Sequence, residues 1–175
     1  LLLRAVARLH GERPPRLVVF GDGPERSSLL ALAERLGISA RVEFRGHVED
    51  AAELWSAIGQ ARVAVQPSSR EGFGLFPLEA MVLGVPVVYC HSEDSALPEL
   101  VRDGAEGLAV EAGAEPLAAA LERLLADEPL RAALGASGAR RAGDYSWSKV
   151  GAEMESLFLA VAGDAMADPD GEAAA

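Results

Sequence analysis

Two carboxylates, Glu71 and Glu79, stand eight positions apart around the turn Gly72-Phe73-Gly74, with Pro77 between them. The run Val63-Ala64-Val65-Gln66-Pro67 before them is apolar and ends in proline, so it delivers the chain to the end of a strand. Gly72 and Gly74 let the backbone turn tightly and approach a ligand. Pro77 fits the start of a helix, where a missing N–H leaves nothing unsatisfied. The amides of Gly74, Leu75 and Phe76 would then point out of the helix start, an array suited to anions or sugar hydroxyls at the positive end of the dipole. Glu79 falls in the first turn of that helix and Glu71 on the loop before it, so both carboxylates can face one crevice. Neither has an acidic or histidine neighbour at a ligand spacing, so no metal is expected. A plain structural reading stands beside this one: Glu79 stabilising a helix N-terminus by about 0.3 to 1 kcal/mol, and Glu71 solvated on its loop.

These residues need a frame. Apolar positions Leu2, Leu3, Val6, Ala7 and Leu9 recur at helical spacing, and the period then changes to the short apolar run 16–20, closed by Gly21-Asp22-Gly23. The alternation repeats with helices over 24–36, 51–58, 77–83 and 98–102 and strands over 41–45, 63–66, 85–89 and 107–110. Strands that alternate with helices pair in parallel through right-handed crossovers. The fold class is therefore α/β, a Rossmann-like open parallel sheet flanked by helices. Helices over 115–125, 130–141 and 147–162 form a helical C-terminal extension. One domain is expected over 1–162. The tail 163–175, acidic and alanine-rich, is expected to be disordered. In such sheets ligands bind beyond the carboxyl ends of the strands, which selects the loops 21–25, 46–48, 68–78 and 90–99.

Composition narrows the partners. The 175 residues are half apolar and carry a formal charge of −11, which argues against nucleic acid and against adhesion to anionic lipid through this chain. Lys149 is the single lysine, so the Gly-Lys-Ser/Thr step of a Walker loop is absent. One cysteine, Cys90, precludes an internal disulfide and reads as a small buried apolar side chain. No run reaches the length of a membrane span, and no basic, hydrophobic leader opens the sequence. A cytoplasmic location is expected. The start at Leu1, in what reads as a helix already under way, suggests a piece of a longer chain.

The run Glu71-Gly72-Phe73-Gly74-Leu75-Phe76-Pro77-Leu78-Glu79-Ala80-Met81, followed by Gly84-Val85-Pro86-Val87-Val88, resembles the donor-site signature of the retaining, nucleotide-sugar-dependent glycosyltransferases of family 4, which have the GT-B fold. The resemblance extends to Gly21-Asp22-Gly23-Pro24-Glu25, Arg45-Gly46-His47-Val48, Leu97-Pro98-Glu99-Leu100-Val101 with Asp103-Gly104 and Gly107-Leu108, and Tyr145-Ser146-Trp147. It covers about residues 1 to 160. It implies that Glu79 accepts hydrogen bonds from both ribose hydroxyls and that Glu71 holds donor-sugar hydroxyls near the reacting carbon. It implies also that amides of Phe73, Gly74 and Leu75 contact sugar and phosphates, that Gly46 and Val48 face the base, and that Gly21 and Gly23 leave room for the nucleotide. Ser95 and Ala96 stand where the family usually places two glycines, and their small side chains still admit close backbone approach. No cofactor is implied beyond the donor itself.

On the same resemblance the chain is the C-terminal, donor-binding half of the fold. Its N-terminal acceptor domain, its first strand and the basic residues that clamp the diphosphate would lie upstream of Leu1, and any peripheral membrane contact would come only through that missing domain. His10, His47 and His91 match none of the family's catalytic positions. Trp55 and Trp147 are expected in the core, Phe73 at the site, and the last helix is expected to expose an apolar stripe. Two other functions fit the same residues: a non-catalytic nucleotide-sugar-binding module, and a GT-B nucleotide-sugar 2-epimerase fragment.

Overall fold

The computed structural model describes residues 1–11 and 14–167. Helix α1 (Leu2–Arg8) leads to strand β1 (Leu17–Phe20), and the alternation continues through α2 (Arg26–Arg35), β2 (Val42–Gly46), α3 (Ala51–Gly59), β3 (Ala64–Gln66), α4 (Leu75–Val82), β4 (Val87–Cys90), α5 (Leu97–Leu100) and β5 (Gly107–Val110). Then come α6 (Ala114–Ala126), α7 (Glu128–Ala142), a 3-10 turn at Gly143–Tyr145 and α8 (Trp147–Ala167). Every ladder is parallel, because each strand returns to the same edge through a helical crossover.

The strands form two ladders. β1 pairs with β2, while β3, β4 and β5 pair in that order. Within each group the spatial order of the strands follows their order in sequence, as right-handed helical crossovers between parallel neighbours produce. Helix α1 spans the division. Its Leu3 and Val6 pack with Ala33, Ile38, Leu17 and Phe44 on the β1-β2 side, and its Ala5 and Leu9 pack with Val88, Leu108 and Leu117 on the other. Two stripes on one short helix therefore serve two half-cores.

Strand β4 is buried at all four positions, the mark of a parallel strand covered on both faces. On one face Val87 and Tyr89 meet Ala80 and Met81 of α4, Leu97 of α5 and Ala142 of α7. On the other, Val88 meets Leu117, Leu121 and Leu124 of α6. This doubly covered strand is the rigid backing of the loops that follow β3 and β4.

Three expectations need correction. Trp55 is 51% exposed and Trp147 92% exposed, so neither is a core residue. On α3 the inward positions, one helical turn apart, are taken by Leu54 and Ile58, which turns Trp55 toward α4. Trp147 opens α8, and α8 packs on the 3-10 turn while Met154, Leu157, Phe158, Leu159 and Val161 remain exposed. Helix α8 also continues beyond 162 to Ala167, so the start of the expected disordered tail is helical; the remainder of that tail, 168–175, lies outside the described residues.

Candidate functional site

The loop from β3 to α4 is closed by its own carboxylate. Glu71 Oε1 accepts from the Gly74 amide at 3.1 Å, and Oε2 accepts from Gln66 Nε2 at 2.8 Å. Gln66 also donates to Ser68 Oγ at 3.1 Å. The backbone of Glu71 forms a parallel bridge with Ser95, and the Ala96 amide donates to the Glu71 carbonyl at 2.9 Å. The loops after β3 and β4 are thereby joined, which brings Glu71, Gly74, Ser95 and Ala96 together. Gly74 is the N-cap of α4, with φ of 92° in the left-handed region, and a Cβ there would lie 2.8 Å from Leu97 Cδ2. Glycine is required by conformation and by space alike.

Helix α4 begins at Leu75 rather than at Pro77, since Gly74 already reverses the backbone. Pro77 accordingly occupies the third helical position, still within the turn whose N–H groups lack helical partners. Glu79 lies in the second turn, not the first. The Gly74 amide, expected to point outward, is taken by Glu71. The amides of Leu75 and Phe76 have no acceptor among the described residues. Phe73 is 44% exposed at the apex of the turn, and its ring meets the edge of Tyr145 with centroids 5.7 Å apart. Tyr145 is in turn covered by the Arg141 guanidinium, which donates to the carbonyls of Leu100, at 2.9 Å, and Glu99. The end of α7 thus braces both the glycine turn and α5.

Glu79 accepts from the indole N–H of Trp55 at 3.2 Å. On the other ladder the Gly21 amide donates to the Gly46 carbonyl at 2.7 Å in an antiparallel bridge, which brings the first glycine turn against the end of β2. Both glycines have positive φ, 108° and 72°. The Asp22 side chain accepts from the Gly23 amide at 2.9 Å, fixing that turn, and Val48 is half-buried two residues beyond Gly46. The site residues therefore assemble in two groups, one at the end of each ladder. His10, His47 and His91 are all exposed. Two shallow, open hollows, of about 440 Å³ and 250 Å³, are lined by Arg102, Glu106, Arg140 and Arg141 and by Arg62, Gly84, Pro86 and Arg131, and Glu71 and Glu79 line neither.

The motif reading gave Gln66, Trp55 and Tyr145 no role at the site. A polar residue ending an apolar strand marked Gln66. For Trp55 the signal was an indole N–H that needs an acceptor. Among the described residues no group of three or more His, Cys, Asp or Glu could hold a metal, and no helix is long and apolar enough to cross a membrane.

Residues 1–141 match the model of Glycosyl transferases group 1. The chain belongs to that family. It is 41% identical over 138 residues to the lipopolysaccharide core biosynthesis glycosyltransferase LpsE of Rhizobium meliloti (strain 1021), covering 78% of this chain and 38% of that protein. Among solved structures it resembles the sucrose-phosphate synthase of Thermosynechococcus elongatus, with a TM-score of 0.81 at 28% identity over 93% of this chain and 42% of that one. The Anabaena Alr3699/HepE structure in complex with UDP gives a TM-score of 0.81 at 23% identity, over 91% and 44%. The chain spans about two fifths of the length of the curated relatives it matches. The likeness to solved structures bears out the Rossmann-like α/β fold expected from the sequence, and the family match bears out the assignment to a transferase family.

Proposed function

We propose that this chain is the donor-binding half of a retaining glycosyltransferase that takes a nucleotide-diphosphate sugar. The observation that carries the reading is the joined pair of loops at the ends of β3 and β4, which sets Glu71, the glycine turn and the start of α4 side by side. Each Glu71 oxygen is engaged once and keeps a second lone pair, so the carboxylate is oriented and still able to accept sugar hydroxyls. Glu79 accepts the ribose hydroxyls. The unpaired Leu75 and Phe76 amides, at the positive end of α4, face the diphosphate together with Phe73 and the Gly74 backbone. Gly46 and Val48 meet the base, Gly21 and Gly23 give it room, and Ser95 and Ala96 line the sugar side. HepE, a structure of the same fold, is solved in complex with UDP, which supports a nucleotide ligand for this reading.

Catalysis in this reading consists of orienting the donor and stabilising the departing diphosphate while a second domain closes over it. No metal or cofactor has a part in it. The reading places the enzyme in the cytoplasm, where a single buried Cys90 stays reduced. Titration of UDP-, GDP- and ADP-sugars into the chain, with Glu79→Ala alongside, tests the site. One nucleotide should bind, the variant should bind it at least tenfold less tightly, and the isolated chain should transfer little or no sugar. Equal affinity of the two proteins removes Glu79 from the nucleotide, and acceptor-dependent turnover by the chain alone contradicts its being half of a cleft.

A further inference from the structure

Trp55 carries a second, less expected role. It sits on α3, 24 positions before Glu79, and its indole N–H ends 3.2 Å from Glu79 Oε1. Half of the ring remains exposed although the adjoining positions Leu54 and Ile58 reach the core. Burial therefore does not account for a tryptophan here, whereas the hydrogen bond does. An indole can only donate, so the contact has one direction and one purpose on the Glu79 side: it selects a rotamer.

We propose that Trp55 is the positioning residue of Glu79 and thereby sets the nucleoside affinity of the site. The inference rests on the donor-site reading. A glutamate loses side-chain freedom when it grips a ligand, and a carboxylate already held by an indole loses less. The indole uses one lone pair of Oε1. The other lone pair and both of Oε2 remain, enough for two hydroxyls of a diol. The indole N–H is a neutral donor and brings no positive charge to compete with the hydroxyls for the carboxylate. The exposed face of the ring, beside that acceptor, adds an apolar wall against which a nucleoside can rest.

The chain has two tryptophans, so an ¹⁵N spectrum carries two indole signals, and Trp147→Phe assigns them. In the ligand-free chain Glu79→Gln should move the Trp55 signal, and UDP should move it in the unmodified chain. Trp55→Phe keeps an aromatic ring and should weaken UDP roughly three- to tenfold, with Trp55→Tyr, which restores a donor, recovering part of the loss. An indole signal indifferent to Glu79→Gln overturns the inference without any ligand. So does UDP affinity that falls with Glu79→Ala and stays at the wild-type value with Trp55→Phe. UDP is the first probe, and GDP and ADP replace it in the same tests if it does not bind. If none of the three moves a resonance up to its solubility limit, the donor reading itself fails and this inference falls with it.

Discussion

At Glu71 both carboxylate oxygens are spoken for by short-range donors, and at Gly74 the backbone occupies a region closed to other residues. These positions were legible as a motif because glycines and acids at fixed offsets are visible in one dimension. Glu106 was not. It is fully buried and receives the Arg102 backbone amide and guanidinium, an arrangement that depends on how the chain leaves α5. The Arg102 hydrogen bonds hold its carboxyl below the ordinary value of 4.5, against the opposing effect of burial. A carboxylate with a lowered folded-state pKa contributes stability that is present above its unfolded pKa and is lost as pH falls through the folded one. Glu106→Gln should therefore cost about 1 to 3 kcal/mol at pH 7 and flatten the loss of stability below about pH 4.5. Thermal melts of both proteins across pH 3 to 7, a range set around ordinary carboxylate values, measure the difference.

Among the elements, the exchange of strand and helix periods read well because runs of apolar residues differ in length and spacing. What could not be read was how one helix leans on another. An apolar helix face predicts Trp55 in the core, and only the packed structure shows Leu54 and Ile58 taking it. The start of α4 moved from Pro77 to Leu75 for a similar reason, since a left-handed glycine cap begins a helix earlier than proline suggests. Tyr145 belongs to this scale: a residue of the 3-10 turn, it holds Phe73 by ring edge and is itself held by Arg141. Tyr145→Ala should speed amide hydrogen exchange at Gly72 to Gly74 about fivefold, as expected when an aromatic contact of order 1 kcal/mol is removed. Tyr145→Phe should leave it near the wild-type rate, with β4 amides unchanged in both. Equal exchange in the alanine variant would show that the turn needs no brace.

For the molecule as a whole, the parallel pairing and the loops it brings to one edge were foreseen, but the sheet's division into two ladders was not, because pairing partners are a matter of distance. The exposed apolar stripe of α8 agrees with expectation. Since α8 packs lightly, removing residues 147–167 should change the unfolding free energy by no more than about 0.5 kcal/mol, the range of surface changes. It should also reduce concentration-dependent light scattering, because a continuous exposed apolar face drives association. Denaturant unfolding and scattering on the two chains give the answer, and a large loss of stability would place α8 within the core.

The division between β1 and β3 has its own physical result. Each ladder ends in two margins, so among the described residues four rows of peptide groups face outward where an unbroken sheet would present two. Those at the inner margins must hydrate or recruit a strand from elsewhere. Amides on the unpaired sides of β1 and β3 should then exchange with solvent sooner than those of β4, which has a partner strand on each side.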